Sequence, residues 1–186
     1  MVSQFVSPDK VGLLGDLYFD FPEGIHAVGR LDNESEGLLI LTTDKRVTRL
    51  LFLAKNPHLR SYLIMVQHEM TEETLQQLKK GIDIKVKEGE FYNSKPVSIE
   101  IVTEPEKLYP YAGDHRNAYP HTWLVITLTE GKFHQVRKMV QAVRHRCPRL
   151  IRLNISDLEL GDLKPGKVKE LSADLFFENL GILKPL

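Results

Sequence analysis

One acidic side chain, on a short polar loop between two apolar segments, is the first feature of this sequence suited to chemistry. The stretch from His26 to Asp44 starts apolar, turns polar from Arg30 to Glu36, and becomes apolar again. Ile25, Ala27 and Val28 predict the end of one strand and Leu38 to Leu41 the next, with Gly29 and Gly37 bracketing a tight connection. Asp32 is then held from both sides by buried β-structure, the usual way in which a rigid scaffold fixes a reactive group on a loop. A second feature is a one-signed charge run. Residues 131–156 carry seven bases (Lys132, Arg137, Lys138, Arg144, Arg146, Arg149 and Arg152), His134 and His145 besides, and no acid. Residues 1–44 instead carry eight acids against Lys10 and Arg30. Net charge over the 186 residues is zero, so the total says nothing about partners, but the distribution is that of a phosphate-binding face. Alone, such a run reads first as a solvated helix face.

The composition bounds the rest. With 42% hydrophobic residues a chain of this length can bury a sizeable core, as one domain or as one domain with a small lobe. The single Cys147 excludes an internal disulfide and a multi-thiolate metal site, and suits a reducing cytoplasm. No apolar run approaches the roughly 20 residues needed to span a bilayer, so no membrane partner is expected.

The elements that must position these residues can be read in order. Met1 to Val6 predicts a strand, and Asp44 caps a helix with Val47, Leu50, Leu51 and Ala54 at helical spacing, ended by Asn56-Pro57. Tyr62 to Val66 is a continuous apolar run fit for a central strand. Thr71 to Gly81 is a helix with acids early, bases late and a terminal glycine. Strands follow at Ile82 to Val86 and Val97 to Val102, with a turn at Glu88-Gly89, then a long loop over 104–121. Thr122 to Thr129 is apolar on both alternating faces, which predicts a strand covered on both sides. After Glu130-Gly131 comes a helix with Phe133, Val136, Val140 and Val143 as its apolar stripe and His134, Arg137, Gln141 and Arg144 on a polar face. Leu150 to Ile155 and Val168 to Leu171 are further strands, and Asp174 to Leu180 a closing helix.

The block Gly29-Arg-Leu-Asp32, with Ser35, Gly37, Leu38, Leu39, Thr42 and Asp44, resembles the central motif of the ribosomal RNA pseudouridine synthases. The resemblance resumes at Arg60-Ser-Tyr-Leu63, over Thr122 to Met139, and at Leu150-Ile-Arg152, and is closest to the type E enzymes of the large subunit. It implies an α+β fold: a long, bent, mainly antiparallel sheet with flanking helices and a central cleft, residues 1–186 forming one catalytic domain of two joined lobes. It further implies a monomer without the RNA-binding module many relatives carry, and without the first family strand, so that Met1 reads as an internal or trimmed start. The implied reaction breaks the C1′–N1 bond of a uridine, turns the base in place and rejoins it through C5, which needs no cofactor and no metal. Asp32 is implied as the essential carboxylate, nucleophile or base, and Arg137 as its ion-pair partner. Tyr62 is implied to stack on the target base, Leu150 to line the pocket opposite, and Arg30 to fill the gap left by the flipped nucleotide. Lys132, His134, Gln135, Lys138 and Arg152 are expected to bind substrate, with Arg144, Arg146 and Arg149 holding phosphates besides. At Lys132-Phe-His-Gln135 the chain departs from the Arg-Asn-Arg-Gln of many members.

Each residue has a plainer reading. Asp32 alone would be a turn aspartate, Tyr62 and Leu150 core residues, Arg30 a salt-bridge partner of Glu34 or Glu36, and Arg137 one more phosphate-binding arginine. Three functions follow: a pseudouridine synthase acting on ribosomal RNA, 23S rRNA of the large subunit foremost; a catalytically silent RNA-binding or ribosome-assembly factor of the same fold; and a hydrolase using Asp32 with Glu34 or Glu36. The last is weakest, because residues two apart on a turn need not converge.

Overall fold

The computed structural model describes residues 1–52, 57–114 and 119–182. Its centre is strand β4 (Arg60–Gln67), whose Leu63 to Val66 are fully buried. On one side β4 pairs antiparallel with β8 (His121–Leu128) over eight residues, and β8 in turn with β7 (Ser98–Val102). On the other it pairs antiparallel with β9 (Arg149–Ile155), with a register shift between Ser61 and Tyr62. The outer side of β9 is shared end to end. β2 (Ser35–Gly37) runs parallel to its first half, and β10 (Leu158–Glu159) antiparallel to its last residues. β1 (His26–Val28) and β3 (Ile40–Thr42) form a separate antiparallel pair, and β5 (Ile82–Lys87) and β6 (Glu90–Ser94) a hairpin.

The two-sided burial expected of β8 is what divides the core. Leu124, Ile126 and Leu128 join Ile64, Leu150 and Ile84 in one cluster. It is closed by α2 (Glu72–Lys80) through Leu75 and Leu78, and by α3 (Gln135–Ala142) through Val136, Met139 and Val140. Trp123 faces the opposite cluster with Leu63, Met65 and Ile151. That face is covered by α1 (Arg46–Phe52) through Val47 and Leu51, and by α4 (Ala173–Asn179) through Phe177. The sheet is mixed, mainly antiparallel, with helices on both faces, which makes the fold α+β.

Caps explain where the helices begin. The Thr71 hydroxyl accepts from the Thr74 N–H at 3.2 Å, the Ser172 hydroxyl from the Leu175 N–H at 3.3 Å, and the Asp44 carboxylate from the Arg46 N–H at 2.9 Å. Ala54 and Asn56 of the expected first helix lie outside the described residues, as do residues 115–118 of the long loop.

Three expectations fail. Met1 to Val6 is irregular rather than a strand, its Ser3 hydroxyl donating to the Leu31 carbonyl at 3.0 Å and accepting from the Leu31 N–H at 2.9 Å. Val168 to Leu171 is also irregular, and among the described residues no strand pairs with it. Phe133 lies outside α3 and is 71% exposed, because His134 takes a left-handed conformation (φ 53) and the helix starts only at Gln135.

Candidate active site

The sheet sets one row of residues across three strands. Gly37 on β2 stands beside Arg152 on β9, and Arg152 beside Tyr62 on β4. The shift at Ser61, whose N–H turns to the Asn154 side chain at 2.9 Å, is a bulge that re-aims Tyr62. Gly37 is required at this point. Its φ is +101, and a Cβ there would stand 2.5 Å from the Arg152 backbone nitrogen and nearer still to the Arg152 carbonyl oxygen. Only a glycine lets β2 lie this close to β9, and β2 carries the loop with Asp32.

Around that row lies a cleft of about 370 Å³, at the lower end of the roughly 300–1,000 Å³ of small-ligand sites. Arg30 and Asp32 line it from the loop, Tyr62 from β4, Leu150 and Arg152 from β9, and Lys132 to Val136 from the start of α3. The structure thus brings together nine of the ten residues expected in catalysis or substrate binding. These are Arg30, Asp32, Tyr62, Lys132, His134, Gln135, Leu150 and Arg152 in the cleft, with Arg137 against the loop that carries Asp32. Lys138 turns to the hairpin, where its ammonium donates to the Lys85 carbonyl at 2.8 Å.

Asp32 and Arg137 do not form the ion pair that the resemblance implies. Asp32 Oδ1 stands 3.4 Å from His134 Nε2, both side chains being partly exposed, a contact that becomes ionic when the imidazole is protonated. The Arg137 guanidinium is already engaged. Its Nη2 donates to the Glu34 carbonyl at 2.6 Å, its Nη1 donates to the Cys147 carbonyl, and the Glu34 carboxylate stands 3.8 Å away. With only 14% of its side chain exposed, Arg137 ties the Asp32 loop to the segment before β9. Arg30 is exposed and makes neither expected salt bridge, since Glu34 faces Arg137 and Glu36 is held by Arg149.

Two arginines expected on phosphates are buried instead. Arg149 donates from Nε and Nη2 to both carboxylate oxygens of Glu36, at 2.6 and 3.0 Å, and also to the carbonyls of Tyr111 and Ala112. That fork locks β2 to β9 and commits four of the five Arg149 N–H groups inside the protein. Arg152 is 6% exposed and donates from Nε to the Leu38 carbonyl at 2.8 Å. Burial lowers its hold on its proton, and the neighbouring Tyr62 phenol opposes that shift. The Arg152 Nη2 and Arg137 Nε are buried without a hydrogen-bond partner among the described residues. At the α3 end, Gln135 is a structural brace. It accepts from the Lys132 N–H at 2.8 Å and donates to Ser94 Oγ at 2.7 Å and to the Glu130 carboxylate.

Sequence reading missed the Glu36–Arg149 lock, which joins residues 113 apart with no local signal. It also missed the exposure of Phe133. The signal there was the Glu130-Gly131 break, which left the helix start open by several residues.

A carboxylate, an imidazole, a phenol and an under-bonded guanidinium in one cleft can hold a flat heterocycle and attack or deprotonate the sugar attached to it. Relatives of known type share this chain. Residues 17–142 match the family described as RNA pseudouridylate synthase. Ribosomal large subunit pseudouridine synthase E of Vibrio parahaemolyticus is 35% identical over 173 residues, spanning 91% of this chain and 69% of that protein. The protein of the same name from Xanthomonas axonopodis pv. citri is 32% identical over 149 residues, 79% of this chain and 76% of its own length. A crystal structure of a pseudouridylate synthase is similar with a TM-score of 0.73 at 26% identity, covering 96% of this chain and 68% of that one. The chain belongs to the RNA pseudouridylate synthase family and is an isomerase acting on RNA. Among the described residues no helix is long and apolar enough to cross a membrane.

Proposed function

We propose that this isomerase converts one uridine of ribosomal RNA, in the 23S rRNA of the large subunit, with Asp32 as the essential carboxylate and the target nucleotide flipped into the cleft. The target class rests on the relatives, of which several are named large subunit pseudouridine synthases. Small-subunit synthases also match, at 28% identity for that of Yersinia pestis.

The observation that carries the chemistry is Asp32 lining one cleft with Tyr62, Leu150 and Arg152, its carboxylate 3.4 Å from His134. In the reaction the C1′–N1 bond breaks, the freed uracil turns, a C1′–C5 bond forms, C5 loses its proton and N1 gains one. Atoms balance without a cofactor or metal. Asp32 would act on the sugar, as nucleophile at C1′ or as base toward a sugar proton. Tyr62 offers its ring face to the detached base. Arg152, buried beside the Tyr62 phenol, holds the floor of the cleft through its bond to the Leu38 carbonyl. Arg137 works as a positioning residue, fixing the Asp32 loop through the Glu34 carbonyl. Extrusion costs a few kcal/mol, and Arg30, exposed beside the cleft, is suited to fill the vacated stack with its planar guanidinium.

The test is to incubate the protein and its Asp32→Asn variant with unmodified ribosomal RNA and to map pseudouridine by chemical probing. One modified large-subunit position with the wild type and none with the variant supports the proposal. Binding without conversion by the wild type would favour the silent RNA-binding factor, and a site in the small subunit would overturn the target.

A further inference from the structure

We propose that Phe133 is a base-stacking platform at the mouth of the cleft, receiving the nucleotide next to the one being modified. The inference rests on the reading that RNA enters the Asp32 cleft. Phe133 lines that cleft and yet is 71% exposed, an unusual state for a phenylalanine beside a helix start. One side of its ring is stacked on the His134 imidazole, with centroids 3.9 Å apart and planes 23° from parallel. His134 in turn reaches Asp32 Oδ1 at 3.4 Å. The ring is therefore one step from the reacting carboxylate and is set in orientation by a residue of the site.

Its surroundings are cationic. The Lys138 ammonium stands 5.3 Å from the ring centroid, held by the Lys85 carbonyl at 2.8 Å, and the Lys132 ammonium lies 4.0 Å over the Tyr92 ring. A lone exposed aromatic ring with an ammonium over it is a poor protein-docking patch, which needs contiguous apolar area. It suits a nucleobase with its phosphate, because every base has a π-face and every linkage a negative charge. The chemistry also calls for such a surface. Extruding a uridine unstacks its neighbour, and a ring at the mouth returns the lost stacking to that neighbour. The platform is indifferent to base identity, so it contributes affinity and leaves sequence choice to other contacts.

The test compares wild type, Phe133→Ala, Phe133→Trp and Lys138→Gln on unmodified ribosomal RNA, measuring kcat, KM and the dependence of affinity on salt. Loss of one base stack should raise KM about tenfold in Phe133→Ala. kcat should stay within about twofold, Phe133→Trp should restore KM, and the salt slope should be unchanged. Lys138→Gln should instead flatten the slope by about one ion. Wild-type KM in Phe133→Ala, or a flattened salt slope in that variant, overturns the platform. The two readings fail separately. An active Asp32→Asn variant removes the cleft assignment itself, whereas an inactive Asp32→Asn beside a fully normal Phe133→Ala removes the platform alone.

Discussion

Substituting Gly37 by Ala tests the device that brings the Asp32 loop to the sheet. The new Cβ would sit 2.5 Å from the Arg152 nitrogen, where ordinary contact begins at 3.4 Å, and it meets backbone, which cannot swing away. β2 and β9 would have to part by about 1 Å. The separation strains the bond from the Leu38 N–H to the Arg152 carbonyl, now 2.9 Å, and the neighbouring ladder bonds. A side chain forced to φ +101 costs about 1–3 kcal/mol, and each weakened hydrogen bond about 0.5–1.5 kcal/mol more. The total is about 3 kcal/mol, which at a slope of about 2–3 kcal/mol/M lowers the urea midpoint by about 1 M. Where the variant still folds, displacement of Asp32 by about 1 Å should lower kcat on the order of 100-fold. Equilibrium urea unfolding, with turnover measured well below the midpoint, provides both readouts. Gly131→Ala is the control, since its added Cβ meets nothing within 4 Å. A midpoint within about 0.2 M of wild type, with normal turnover, would refute the close-approach argument.

Two further outcomes follow from the same geometry. Arg137→Lys cannot bridge the Glu34 and Cys147 carbonyls with one ammonium, so kcat should fall about 100-fold while affinity for ribosomal RNA stays near wild type; equal losses in both would assign Arg137 to phosphate binding. Burial pushes the Cys147 thiol from its ordinary 9.0 up to about 11. Below pH 9 the thiol is neutral folded or unfolded; as pH rises from 9 to 11 only the unfolded thiol loses its proton, so stability falls by up to about 3 kcal/mol and then levels. Unfolding midpoints across that range should show the extra fall in wild type and not in Cys147→Ala, and parallel curves would contradict it.

Much of this was legible in the sequence where the signal is local. The alternation of Thr122 to Thr129 announced a strand buried on both faces, and Trp123 and Leu124 do fall in opposite core clusters. Gly29 and Gly37 were legible as the ends of a tight connection around Asp32, while the close approach of Gly37 to β9 was not, and the motif singled out Asp32, Tyr62 and Leu150, which line one cleft. What could not be read was set by tertiary partners. Arg149 and Arg152 belong to a basic run that looks like a phosphate surface, but each is drawn inward by acceptors more than 100 residues away, Glu36 and the Leu38 carbonyl. Arg137 shares that run and ends on two backbone carbonyls. Phe133 fits a helical stripe by spacing and leaves it because the backbone turns left-handed at the next residue.

The central claim is that the carboxylate of Asp32 performs the isomerisation. Ribosomal RNA transcribed with uridine tritiated at C5 gives the most direct measurement, because exchange of the glycosidic carbon from N1 to C5 must expel that hydrogen. Wild-type protein should release tritium to one equivalent per RNA, and Asp32→Asn, similar in size but uncharged, should release none while binding the same RNA. Release at the wild-type rate by Asp32→Asn would contradict the account.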